Sequence, residues 1–102
     1  MTDIAEDIKL DEKLTVDIEE PSKYKVILLN DDKTPMEWVI GLLIQVFKHD
    51  NNTAQELTLA IHNDGSGVAG IYSYEVAETK LTEATTLSRN NGFPLALQLE
   101  KE

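Results

Sequence analysis

The chain has 102 residues, enough for one domain around one modest hydrophobic core. It contains no cysteine, which removes disulfides, thiolate nucleophiles and thiolate metal sites and is compatible with a reducing compartment. Nineteen acidic residues stand against nine basic ones, and the formal charge of -10 opposes nucleic-acid backbones and anionic membranes while favouring cationic ligands or basic partner surfaces.

The first residues, Met-Thr-Asp-Ile-Ala-Glu-Asp, lack a basic region followed by an apolar one, and no stretch reaches bilayer-spanning length, so a cytoplasmic protein is expected. Residues 1–22 carry eight acids and two lysines. Their scattered apolar residues are separated by charges, which reads as a flexible acidic arm ahead of a folded domain over 23–102. The rival is an amphipathic helix or edge strand formed on a partner, since Leu14-Thr15-Val16-Asp17-Ile18 alternates in the strand manner.

The segment Tyr24–Leu29 is rich in strand formers, and its continuous apolar end predicts a strand covered on at least one face. Asn30-Asp31-Asp32-Lys33 ends it as a turn. Thr34 as N-cap, Pro35 at the first helical position and Glu37 as the reciprocal partner predict a capped helix running to about Lys48. Thr53 and Glu56 form a second capping box, opening a helix that ends near Asn63 and packs against the first as a hairpin. After the turn Asp64–Gly67, Val68–Tyr72 reads as a short strand in which Gly70 marks a bulge or a close backbone approach. A third helix starts at Ser73 or Tyr74 and ends around Arg89–Gly92, with Gly92 in the left-handed cap position. Pro94–Leu99 alternates as a final strand. The expected fold is α+β, a single small β-α-α-β-α-β domain with a three-stranded antiparallel sheet packed against three helices.

Helical spacing places the Met36/Val39 edge of the first helix against the Thr58/Ile61/His62 edge of the second, beside the polar Asn30–Asp32 turn. On residue types alone, Asn30, Asp31 and Asp32 are also ordinary turn formers, His62 is an ordinary helix-terminal partner, and Met36 and Val39 are ordinary core residues. Trp38 points from another helical position and is expected outside any such pocket.

Asn30-Asp31-Asp32, then Thr34-Pro35-Met36-Glu37, then His62, then Glu75-Val76-Ala77-Glu78-Thr79-Lys80 resemble, in order and spacing, the ClpS family. These are the adaptors that deliver N-degron substrates to Clp ATPase–protease machines. The resemblance runs from Tyr24 to about Glu100. It implies that Asn30, Asp31, Asp32 and His62 anchor the α-amino group and first peptide unit of a substrate, with Thr34 and Met36 at the rim. It further implies that Val39, Thr58, Ile61 and Leu95 line a pocket for a bulky apolar first residue (Leu, Phe, Tyr or Trp). Glu75, Glu78, Thr79 and Lys80 then form a contact patch for a ClpA- or ClpC-type AAA+ ATPase; without the resemblance they read as a salt-laced helix face. Many family members carry methionine where this chain has Thr58, which predicts a roomier pocket. Imidazole changes charge near neutrality, so contact of His62 with an incoming ammonium predicts binding that weakens as pH falls.

An enzyme reading lacks a nucleophile and an oxyanion site, and no G-x-S-x-G, phosphate loop or H-E-x-x-H is present. His49 and His62 do not have the spacing of a structural zinc site, and Asp50-Asn51-Asn52 does not extend into a calcium loop, so no metal or cofactor is expected. The second reading is a non-enzymatic acidic interaction domain of the ribosomal-stalk type recruiting a basic protein. Fold and charge allow it, but neither explains Asn30-Asp31-Asp32 together with His62.

Overall fold

A computed structural model describes residues 22–102. The expected arm, and any strand or helix within its first 21 residues, lie outside the described residues. The order is β1 (Lys23–Leu29), α1 (Met36–Gln45), α2 (Asn51–Asp64), β2 (Ser66–Ser73), α3 (Tyr74–Asn90) and β3 (Ala96–Lys101). The strands form one sheet in the order β2-β1-β3, antiparallel throughout, as the α+β reading required.

β1 is central because its Val26, Ile27 and Leu28 are all buried. A strand with a continuous apolar run needs partners on both sides and a covered face. Opposite it, Val26 pairs with Gly70 and Ile27 with Val68, so Ala69 is the extra residue of a β-bulge. Gly70 makes room for the outer end of the Tyr72 ring, which a Cβ there would displace. In β3, Leu97 faces Leu28 and Leu99 faces Val26.

The last strand runs two residues later than expected at both ends. Pro94 has no N–H for a ladder, and Leu95 is buried ahead of the strand. The ladder instead continues through Glu100 and Lys101 because β1 extends back to Tyr24. Polar residues there conceal the pairing.

Both helix starts differ from the capping boxes. Pro35 occupies the N-cap position of α1 with no side-chain cap, its carbonyl accepting from Trp38 N–H at 3.0 Å and Val39 N–H at 3.2 Å. Thr34 is unavailable as a cap because its amide and hydroxyl both bond to Asp31, a charged acceptor close behind it. For α2 the cap is Asp50, whose carboxylate accepts from Thr53 N–H at 2.8 Å. Two candidate caps three residues apart competed, and the charged one won.

α1 also ends earlier than Lys48. His49 N–H reaches back to the Leu43 carbonyl at 3.1 Å and Lys48 has φ 64°, a left-handed stop made without glycine. Such a residue costs roughly 1–2 kcal/mol. Tertiary contacts hold the stop in place: Lys80 Nζ donates to the Val46 carbonyl at 2.7 Å, and the His49 ring bonds the Ala69 carbonyl of the bulge. α2 closes on Gly65 at φ 94°, and α3 begins on Ser73, whose Oγ accepts from Val76 N–H. Gly92 takes φ 80° just after α3, as expected.

The core joins β1 to all three helices. α3 contributes only small buried residues, Ala77, Ala84 and Ser88, which lets it lie close on the sheet. Larger side chains such as Leu28, Leu43 and Leu95 fill the remainder, each burial contributing about 1.5–3 kcal/mol.

Candidate functional site

Asn30, the first residue past β1, donates its backbone N–H to the Gly65 carbonyl at 2.9 Å. That bond fastens the exit of β1 to the last turn of α2, three residues from His62. The side chains of Asn30, Asp32 and His62 are exposed, while Asp31 and Thr34 are half-buried.

Asp31 organises the turn. Its Oδ1 accepts from Lys33 N–H at 2.8 Å and Thr34 N–H at 2.7 Å, and its Oδ2 accepts from the Thr34 hydroxyl at 2.7 Å. Partial burial raises its pKa, but the Thr34 and Lys33 hydrogen bonds and the Arg89 charge outweigh that, and the carboxyl lies below its usual value. A carboxylate has about four acceptor positions, so roughly one remains on Oδ2.

Beside this turn lies an apolar wall. Val39, Ile61 and Leu95 belong to one buried cluster, and Thr58 is 2% exposed one turn before Ile61. The Thr58 hydroxyl donates to the Ala54 carbonyl at 2.7 Å, so its own helix satisfies the polar end and the methyl group is left for apolar neighbours. Met36 is 38% exposed at the open end. The five residues expected to form a hydrophobic pocket therefore divide into four buried positions and one at the surface. Gly67 contributes from β2: a Cβ there would stand 2.7 Å from Ile61 Cγ1.

Behind the wall, Trp38 packs on the end of α3. Its indole N–H donates to Ser88 Oγ at 3.3 Å and its ring lies 5.3 Å from that of Phe93. Arg89 Nη1 donates to the carbonyls of Phe93 at 3.0 Å and Leu95 at 2.8 Å.

The second surface is the outer side of α3. Glu75, Glu78 and Thr79 are exposed, and two shallow open depressions run along this helix, lined by Glu75, Glu78, Thr79, Lys80 and Glu83 with their neighbours. Lys80 differs from the rest. It is half-buried, its ammonium caps the Val46 carbonyl, and it lies 5.7 Å from the Tyr72 ring centroid. Among the described residues no group of three or more metal-ligating side chains comes together, and no helix is long and apolar enough to cross a membrane.

A family model described as ATP-dependent Clp protease adaptor protein ClpS matches residues 19–98. The chain belongs to the ClpS family. It is 44% identical over 93 residues to the ATP-dependent Clp protease adapter protein ClpS of Shewanella halifaxensis, covering 91% of each chain. It is 48% identical over 82 residues to that of Clostridium acetobutylicum, covering 80% of this chain and 81% of the other. Among solved structures it is similar to Agrobacterium tumefaciens ClpS2 bound to L-phenylalaninamide, with a TM-score of 0.79 at 42% identity, covering 81% of this chain and 100% of that one.

As a ClpS protein the chain is an adaptor and not an enzyme: it binds hydrophobic N-terminal residues and delivers N-degron substrates to a Clp ATPase complex. Membership decides between the two sequence readings against the stalk-type domain. Sequence reasoning missed Arg89, Ser88 and Phe93, which surround the site from behind. A basic residue in the last turn of α3 was visible, but its carbonyl partners belong to the connection beyond the helix.

Proposed function

We propose that the free α-amino group of a substrate is held by Asn30, Asp31, Asp32 and His62, with Thr34 beside them, and that its first side chain enters between Val39, Thr58, Ile61 and Leu95 under Met36. The observation that carries this is the bond from Asn30 N–H to the Gly65 carbonyl, which sets an exposed, acceptor-rich turn next to the end of the helix that bears Thr58, Ile61 and His62. A protein N-terminus presents an ammonium with several donors and, one residue outward, a side chain, and this arrangement offers acceptors and apolar surface in that order. L-phenylalaninamide, the compound bound to the Agrobacterium protein, has the same two features, a free amino group and an aromatic side chain. Net charge of -10 adds long-range attraction for the ammonium.

The ATPase partner is of the ClpA or ClpC type and docks on Glu75, Glu78, Thr79 and Lys80 of α3. Residues 1–22 serve delivery rather than peptide binding, and the protein works in the cytoplasm, for which the absence of cysteine is suited.

Fluorescence anisotropy of a labelled peptide beginning with Leu or Phe, compared with its N-acetylated form, tests the site. Acetylation removes the charge and the charge-assisted hydrogen bonds it makes, a loss of about 1.5–3 kcal/mol or roughly 10- to 100-fold in affinity. Equal binding of both forms would remove the amino-group assignment. A chain lacking residues 1–22 is expected to bind the peptide normally and fail in delivery; normal degradation by that truncation would refute the division of labour.

A further inference from the structure

Arg89 sits in the last turn of α3, where a basic side chain ordinarily complements the carbonyls of its own helix. Here it does something else. Its Nη1 donates to Phe93 and Leu95, two carbonyls in the connection between α3 and β3. Leu95 is 1% exposed and clusters with Val39 and Ile61, yet its backbone lies outside the ladder, because β3 begins only at Ala96. The guanidinium therefore supplies a restraint at Leu95 that the sheet does not.

The Arg89 charge is also felt, at longer range, at the polar turn, by the Asp31 carboxylate that holds Lys33 and Thr34. Phe93, whose carbonyl Arg89 holds, packs its ring on Trp38, the neighbour of Val39. One exposed side chain thus holds, through two carbonyls, the segment that carries Leu95 into the apolar wall.

We propose that Arg89 is a positioning residue for N-degron recognition: by tying the Phe93–Leu95 segment to the end of α3, it sets the width of the first-residue pocket. This rests on the peptide site described above. Arg89 need not touch the substrate. The guanidinium matters because one charged nitrogen serves two carbonyls, a combination that glutamine cannot reproduce.

The test measures anisotropy with peptides beginning Phe, Trp and Leu, each free and N-acetylated, on the full chain and on Arg89→Gln and Arg89→Lys, with thermal unfolding of each protein. Arg89→Gln is expected to weaken the free peptides by up to about tenfold, through the part of the lost restraint that displaces the wall. The weakening should be unequal, because a displaced wall changes the fit of large and small side chains differently. Arg89→Lys should recover part of the loss. Binding of all three peptides by Arg89→Gln within about twofold of the parent, with unchanged ratios among them, overturns the proposal. So does an Arg89→Gln that loses its fold while Arg89→Lys binds as the parent does, since Arg89 then serves stability alone. If the parent itself binds free and acetylated peptides equally, the amino-group reading fails instead, and the selectivity ratios among the three peptides still report on Arg89.

Discussion

The carboxylate of Asp31 takes both the amide and the hydroxyl of Thr34, each at 2.7 Å. A residue that looks like a helix cap is thereby converted into a brace for the turn that precedes the helix. The consequence is a folded-state preference for ionised Asp31, shared by Asp50 through its bonds from Thr53.

Both carboxyls are shifted below their ordinary value of 3.8 on folding. Their stabilisation is therefore fully present above that value and is lost as pH falls through the depressed folded pKa. Thermal unfolding between about pH 6 and pH 2.5 should show a flat upper region and a decline below about pH 4. Asp31→Asn and Asp50→Asn should each flatten that decline. An unchanged decline in both variants would mean that other carboxylates set the acid limb.

Lys80 and Glu75 share one helix but should separate experimentally. Lys80→Met removes the ammonium from the Val46 carbonyl and is expected to destabilise the fold by about 1.5–3 kcal/mol, less whatever solvent regains. Glu75→Lys, at an exposed position in the first turn of α3, should cost no more than about 1 kcal/mol of stability, the worth of an acid at a helix start. Peptide binding by Glu75→Lys should be unchanged and Clp-dependent degradation reduced. Degradation at the parental rate would remove Glu75 from the docking patch.

Thr58 is nearly inaccessible, and its hydroxyl is satisfied by Ala54. Replacing it with methionine adds volume to the wall. The parent is expected to accept peptides beginning Ile or Val beside those beginning Leu and Phe, and Thr58→Met to reject them, with overpacking costing about 1–3 kcal/mol of stability. Equal rejection of Ile- and Val-starting peptides by parent and variant would remove Thr58 as a selectivity determinant.

Lys48 holds φ 64° at the end of α1. Glycine there should relieve the left-handed strain and raise stability by roughly 0.5–1 kcal/mol, after allowing for the greater freedom of glycine in the unfolded chain. Lys48→Gly melting below the parent would show that the lysine side chain contributes more than its backbone costs.

Periodicity made the β-α-α-β-α-β order readable, because each helix and strand carries its apolar residues at one spacing and is bounded by turn formers. The bulge at Ala69–Gly70 was readable from a lone glycine in a strand. The starts of the first two helices were not, since Thr34 and Thr53 each have an aspartate three residues upstream whose carboxylate takes the threonine's own N–H. The stop at Lys48 carries no local signal, being held by Lys80 on the Val46 carbonyl and by the Ala69 carbonyl on the His49 ring, both from distant parts of the chain. At the site, the order and spacing of Asn30-Asp31-Asp32 and His62 pointed to the right family. The supports behind it, Arg89 on Leu95 and Trp38 on Phe93, depend on contacts across as many as 55 positions between Trp38 and Phe93 and could not be seen in residue types.

The strand at the centre of the sheet is the first of the three in sequence. Tyr24 finds one neighbour in Tyr72 and the other in Lys101, close to the opposite end of the chain. During folding, β1 therefore has no edge covered until distant segments arrive, whereas the α1–α2 hairpin can assemble from local contacts. Long-range antiparallel closure of this kind slows the committed step and leaves an apolar strand open to misassociation while it waits. Shortening β3 would consequently be felt first as a kinetic defect, with β1 bare along one side in a chain whose helices have already formed.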